Sequence, residues 1–205
     1  MSVSVGILGG TFNPPHLGHL QIARRALDQL QLGRVLLMPA RMNPLKPGEE
    51  DPGPRHRLAM CELLSRYEPQ IDACAAELSR EGPSFTVETL RELHRSHPSV
   101  GWTFIAGADA AATLPRWRDP AGLLSLASLA VAARAGSSRE QVLEAVAQVT
   151  GGDGRARVSF LEMPLEEVSS SQVRERVGRG EPVAELVGEP VSEYIAEHGL
   201  YREAS

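Results

Sequence analysis

The sequence predicts an α/β protein: a doubly wound parallel sheet in a single domain over residues 1–205, closed by C-terminal helices. Two observations carry this. Short apolar runs alternate with amphipathic stretches along most of the chain, the trace left by a parallel sheet with right-handed crossovers. The first apolar run, Val3 to Leu8, opens directly on Gly9-Gly10 and then on a helical pattern, a strand–turn–helix unit.

The elements follow in order. Leu17 to Leu30 is predicted helical, because Leu20, Ala23, Leu27 and Leu30 share one face. Arg34 to Met38 is an apolar strand stopped by Pro39. Residues 40–54 hold four more prolines and two glycines and form a long loop, of the kind usually functional or mobile. Arg55 to Ser65 is a helix with Leu58, Cys61 and Leu64 inward, and Gln70 to Cys74 is a short strand. Gly82 to Thr86 is a turn opening a helix through His94, with Ser84 or Thr86 as its N-cap. Trp102 to Ala106 is a buried strand and Leu129 to Ala133 the next strand; a short helix follows Gly107-Ala108-Asp109, and Ser138 to Val149 is another helix. After a turn at 151–154, Val158 to Leu161 is the final strand. Helices at Ser169–Arg179 and Pro190–His198 end the chain, the second stopped by Gly199. Ligands of such sheets bind beyond the carboxyl ends of the strands, so the segments after Leu8, Met38 and Ala106 are expected to meet at one crevice.

Composition narrows the function. A net charge of −5 argues against a general nucleic-acid binder, which needs a broad basic surface. Cys61 and Cys74 are too few for a disulfide framework or a zinc module, and read as reduced core thiols. No apolar stretch reaches the ~18 residues of a membrane span, and no basic segment precedes the first apolar run, which predicts a cytoplasmic protein. A homo-oligomer is compatible with the sequence. Of 21 basic residues only Lys46 is a lysine, and it lies in the long loop.

The chemistry concentrates in Gly9-Gly10-Thr11-Phe12-Asn13-Pro14-Pro15-His16-Leu17-Gly18-His19. Glycines let backbone N–H groups approach a ligand, and a helix start presents unpaired donors at positive potential. His16 and His19, three apart, share a helix face and can address one anion, as suits a phosphate that gains charge during reaction. A zinc site and a purely structural turn are the competing readings; the first is poor in ligands, with no Cys, Asp or Glu adjoining. Val168-Ser169-Ser170-Ser171-Gln172-Val173-Arg174 is the second such segment: hydroxyls at a helix start, with Arg174 one turn in. By itself it also fits an ordinary serine N-cap with solvated arginines.

Together the two segments resemble the (H/T)-x-G-H and I-S-S-T-x-I-R signatures of the nucleotidyltransferase superfamily, and the longer G-G-T-F-x-P-x-H-x-G-H form resembles the bacterial nicotinate-nucleotide adenylyltransferases. Pro83-Ser84-Phe85-Thr86, Phe104 to Asp109, Leu114-Pro115-Arg116-Trp117, Leu129 to Arg134 and the ending Tyr194 to Arg202 extend the resemblance over nearly the whole chain. It implies a Rossmann-like fold and an adenylyltransferase that joins nicotinate mononucleotide to the AMP part of ATP. The products are deamido-NAD and pyrophosphate, formed by in-line attack without a covalent enzyme intermediate. ATP and nicotinate mononucleotide are then the small-molecule partners, with Mg²⁺ carried on the ATP. The resemblance assigns His16, His19, Lys46 and Arg174 to catalysis. It assigns Gly9, Gly10, Thr11, Phe12, Gly107, Asp109, Arg134, Ser170 and Ser171 to ATP, and Ser84, Phe85, Thr86 and Trp117 to the nicotinate ring and carboxylate. Trp117 also fits a plain core aromatic and Asp109 a helix cap; His56, His94, His97 and His198 are assigned no chemistry. The chain departs from the family at Leu45, where many members carry histidine, so that loop's role rests on Lys46, and its 106–112 stretch is rich in alanine. A phosphopantetheine adenylyltransferase and a non-catalytic nucleotide sensor of the same fold are the alternative readings of the sequence.

Overall fold

The computed structural model describes residues 3–42, 51–80, 82–133, 139–152, 157–163 and 168–202. Its strands are β1 (Ser4–Gly10), β2 (Arg34–Pro39), β3 (Ile71–Ala73), β4 (Gly101–Gly107), β5 (Ala127–Ala133) and β6 (Val158–Glu162). The helices are α1 (Leu17–Gln29), α2 (Pro54–Ser65), α3 (Thr86–Ser96), α4 (Ala108–Ala112), α5 (Pro120–Leu126), α6 (Arg139–Thr150), α7 (Ser170–Gly178), α8 (Ala184–Val187) and α9 (Glu189–Glu197), with a 3₁₀ turn at Leu114–Arg116. The strands form one sheet in the order β3-β2-β1-β4-β5-β6, and every neighbouring pair runs parallel. The order reverses between β1 and β4, which makes the carboxyl ends of those two strands the expected ligand crevice.

Apolar residues alternate between two cores, one on each face of the sheet. Leu8, Leu37, Ile105 and Leu161 pack against Leu20 and Ala23 of α1, Met60 and Leu64 of α2, Val173 of α7 and Ile195 of α9. On the other face Ile7, Phe104, Leu129 and Val131 pack against Leu90 of α3, Ala111 of α4, Leu123 of α5 and Val146 of α6. Each fully buried aliphatic side chain contributes about 1.5–3 kcal/mol, so both faces are needed to offset the ordering of the chain. Among the described residues no helix is long and apolar enough to cross a membrane.

The structure differs from the sequence reading in the buried face of α2 and in two short helices. The buried side of α2 is Arg57, Met60, Cys61 and Leu64, while Leu58 is only half-buried. The helix is rotated so that an arginine faces inward, a choice that hydrophobic periodicity rejects. Helices α5 and α8, of seven and four residues, were not foreseen because they are too short for a 3.6-residue period to show. Helix α5 starts instead on Asp119, whose carboxylate accepts the Gly122 N–H at 3.0 Å.

Candidate active site

The crevice is open because two strands part. Pairing of β1 with β4 stops at Leu8–Ile105, while β1 continues along β2 to Gly10–Pro39 and β4 along β5 to Gly107–Ala132. A cavity of about 630 Å³ lies between the parted ends, a size suited to small-molecule ligands. Its floor requires glycine at position 9: a Cβ there would come within 2.8 Å of the Phe104 ring.

Beyond β1 the chain turns sharply through Phe12, buried and in the left-handed region at φ 53°, to reach α1. His16 is the N-cap of α1, and its backbone N–H donates to His19 Nδ1 at 3.2 Å. With Nδ1 accepting, the proton of the neutral His19 ring sits on Nε2, and the ring that lines the cavity is a donor. The two imidazoles stack at 3.7 Å between centroids, but only His19 reaches the cavity; His16 is buried beneath it. A Cβ at Gly18 would sit 3.0 Å from His16 Nδ1, so glycine makes room for that ring.

The serine segment closes on this turn from the far end of the chain. Ser169 caps α7 through its hydroxyl, which accepts from Gln172 N–H at 3.2 Å. That frees Ser170, whose Oγ donates to the Pro14 carbonyl at 2.8 Å and lines the cavity. Arg174 donates to the Asn13 carbonyl at 2.7 Å and to Ser171 Oγ at 3.4 Å. Ser169 is thus the ordinary N-cap that the sequence allowed, while its neighbours bind the glycine turn.

Opposite lies the 82–86 turn. The N-cap of α3 is Phe85, not Ser84 or Thr86, and no side chain caps it. Ser84 is occupied elsewhere: its Oγ accepts the Arg41 N–H at 3.0 Å and its own N–H donates to the Met42 carbonyl at 3.1 Å. The amides of Phe85 and Thr86 open the helix as donors. Trp117, half-buried, stands edge-on to Phe104 at 5.7 Å and donates from Nε1 to Thr113 Oγ1 at 3.0 Å. It lines the cavity and also packs against the core beneath. Asp109 is exposed on the cavity rim and caps nothing; Gly107 is the N-cap of α4.

Of the expected residues, the cavity is lined by Gly9, Gly10, Thr11, Phe12, His19, Ser84, Phe85, Thr86, Gly107, Asp109, Trp117 and Ser170. His16, Ser171 and Arg174 stand behind or beside it, and Lys46 and Arg134 lie outside the described residues. Sequence reasoning missed Glu77, Arg57 and Arg118. Glu77 lines the cavity and accepts the Thr89 hydroxyl at 2.9 Å, with Ser84 also bonded to it. Burial pushes its carboxyl above the ordinary 4.5, against those two hydrogen bonds and the nearby Arg80. Arg118 stacks its guanidinium 4.7 Å above the Phe85 ring and pairs with Glu88, adding positive charge beside the turn. Nothing in the sequence marks Glu77 or Arg118; Arg57 could have been noticed as a charge in register with Met60, Cys61 and Leu64. Among the described residues no three His, Cys, Asp or Glu side chains gather as a metal-ligand set.

Comparison with known proteins places the chain in a family. A family model described as cytidylyltransferase-like matches residues 7–176, which spans both phosphate-type segments. The chain is 41% identical over 201 residues to a probable nicotinate-nucleotide adenylyltransferase of Roseiflexus sp. strain RS-1, covering 98% of this chain and 99% of that one. It is 39% identical over 197 residues to the protein of the same description from Geobacillus thermodenitrificans, covering 96% and 85%. A Plasmodium falciparum nicotinic acid mononucleotide adenylyltransferase complexed with NaAD superposes with a TM-score of 0.79 over 97% of both chains. At 16% identity that likeness shows the fold. The chain belongs to the nicotinate-nucleotide adenylyltransferase family, within the cytidylyltransferase-like class.

Proposed function

We propose that this protein joins nicotinate mononucleotide to ATP. An oxygen of the mononucleotide 5′-phosphate attacks the α-phosphorus, the bond from that phosphorus to the β-phosphate bridge breaks, and pyrophosphate leaves with the electron pair. The products are deamido-NAD and pyrophosphate, a step of NAD biosynthesis. One observation carries the reading: two phosphate-type segments more than 150 residues apart meet through Ser170–Pro14 and Arg174–Asn13 at one end of a cavity. Its other end is a helix start flanked by an aromatic wall.

The roles follow from position. The Nε2–H of His19 faces the charge that develops on the α-phosphate, while the Gly9 and Gly10 amides, held in the ladders with β4 and β2, leave a side-chain-free floor that lets the phosphate come close. Donors fixed before the reaction need no reorganisation, and each is worth ~10²–10³ in rate. His16 orients His19 through the backbone bond and ring stack. Ser170, Ser171 and Arg174 stand at the start of α7 toward the departing pyrophosphate; Lys46, Arg134 and Asp109 are assigned to ATP on family resemblance. Mg²⁺ enters as part of the substrate MgATP, where it neutralises the phosphates. Phe85 and Thr86 N–H groups receive the nicotinate carboxylate, and Trp117 covers the ring.

The experiment is pyrophosphate release from MgATP with nicotinate mononucleotide, repeated with the amide mononucleotide. A carboxylate accepts two N–H donors, whereas a carboxamide turns its own NH₂ toward one of them. A mismatch of that kind in a desolvated site is worth about 10⁴ in kcat/KM. No release with the acid, or equal kcat/KM for the two, refutes the assignment.

A further inference from the structure

Arg57 is wholly buried on α2, yet it carries a charge and belongs to none of the groups assigned to substrate. Its three nitrogens are each spoken for. Nη1 donates to the Thr11 carbonyl and to the Ala40 carbonyl, both at 2.7 Å; Nη2 donates to the Arg41 carbonyl at 3.0 Å; Nε bonds Asp51 Oδ1 at 2.9 Å. A buried guanidinium costs several kcal/mol in lost hydration unless every donor is matched. An apolar side chain here would avoid that cost but would leave the carbonyls of Thr11, Ala40 and Arg41 without their donor, so the fork matters for what it joins.

What it joins are the two halves of the cavity. Thr11 belongs to the glycine turn after β1, and Ala40 and Arg41 follow β2; both Thr11 and Ala40 line the cavity. A second bond, Ala40 N–H to the Gly10 carbonyl at 2.9 Å, ties the same two segments. From Arg41 the chain of bonds continues without a break. Its N–H donates to Ser84 Oγ at 3.0 Å, Met42 accepts the Ser84 N–H at 3.1 Å, and the Arg41 guanidinium donates to the Arg80 carbonyl at 3.0 Å. The Ser84 hydroxyl passes on to Glu77, which also holds Thr89 of α3. The turn assigned to ATP and the turn assigned to nicotinate are therefore linked by one guanidinium and one loop.

We propose that Arg57 is a positioning residue that couples the two subsites, so that ATP in the glycine turn tightens the mononucleotide on the 82–86 turn and the reverse. The inference rests on the function proposed above. Ligand that orders the Thr11 end pulls on the carbonyls of Ala40 and Arg41, and these set where Ser84 holds the start of α3. A residue that merely stabilised the fold would lower the melting temperature and leave the interaction between ligands alone.

The test uses the full chain and α,β-methylene ATP, which binds without reacting. Calorimetry gives the Kd of nicotinate mononucleotide with and without saturating analogue, and then the Kd of the analogue with and without mononucleotide. Wild type is expected to show a tightening of about fivefold or more, equal in both directions as linkage requires. In Arg57→Met the factor is expected to fall to about one, with Arg57→Lys little better, since a single ammonium cannot span three carbonyls. Asp51→Asn, at the exposed end of the clamp, is expected to lower the factor while remaining folded, and it serves as the reading if the Arg57 variants do not fold. A wild type without coupling, or a folded Arg57 or Asp51 variant that keeps the full factor, overturns the proposal. Failure of wild type to bind the mononucleotide or release pyrophosphate instead removes the function on which it rests.

Discussion

Gly9→Ala tests the floor of the site most directly. The new Cβ would lie 2.8 Å from both Cε2 and Cζ of Phe104, where carbon atoms settle at about 3.5–4.0 Å, so the ring must retreat by roughly 0.7–1.2 Å. It has little room: Phe104 is 6% exposed, packs in the core beneath α3 and α4, and meets Trp117 edge-on at 5.7 Å. Overpacking of this kind costs about 1–3 kcal/mol. For a chain of this length each kcal/mol lowers Tm by roughly 2–4 °C, which gives an expected drop of roughly 2–12 °C. Displacing Phe104 also displaces the aromatic wall, so the KM for nicotinate mononucleotide rises more than the KM for ATP if Trp117 covers the ring. The decisive measurement is a double-mutant cycle by thermal unfolding and steady-state kinetics. Phe104→Leu shortens the obstructing group, so the alanine at 9 is expected to cost markedly less in the Phe104→Leu background than in wild type, a coupling of about 0.5–3 kcal/mol. Additive losses in Tm would refute the steric account, and an unchanged mononucleotide KM in Gly9→Ala would refute the link to Trp117.

Two further predictions concern the lining. His19→Ala is expected to lower kcat by about a hundredfold or more with the fold intact, because it removes a donor to the developing charge; kcat near wild type would reduce the stacked histidine pair to a structural cap. Glu77 has a raised carboxyl pKa, so the folded state binds its proton more tightly than the unfolded chain does. Its contribution to stability is present below the ordinary 4.5 and is lost as pH rises through the raised value. Glu77→Gln is therefore expected to flatten that fall in Tm across the acid range, and a pH profile identical to wild type would show that the carboxyl is not held as its surroundings require.

Much of the molecule was legible without coordinates, for identifiable physical reasons. Strands β1, β2, β4 and β5 are buried on both faces and so read as unbroken apolar runs, while α1 keeps one apolar face; local composition alone encodes both. The glycine turn and the serine segment were legible because close backbone approach and a helix start each demand particular residues at short spacing. What the chain could not disclose is whatever depends on distant segments meeting. That Ser170 bonds Pro14 rather than solvent follows from α7 returning across the sheet. That Ser84 braces Arg41 instead of capping α3 depends on where the loop after β2 lands. Arg57 inverts the local rule altogether: its spacing to Met60, Cys61 and Leu64 is that of the inner face, its charge argues for the outer one, and only the carbonyls of Thr11, Ala40 and Arg41, brought together by tertiary structure, make the interior the better place for it.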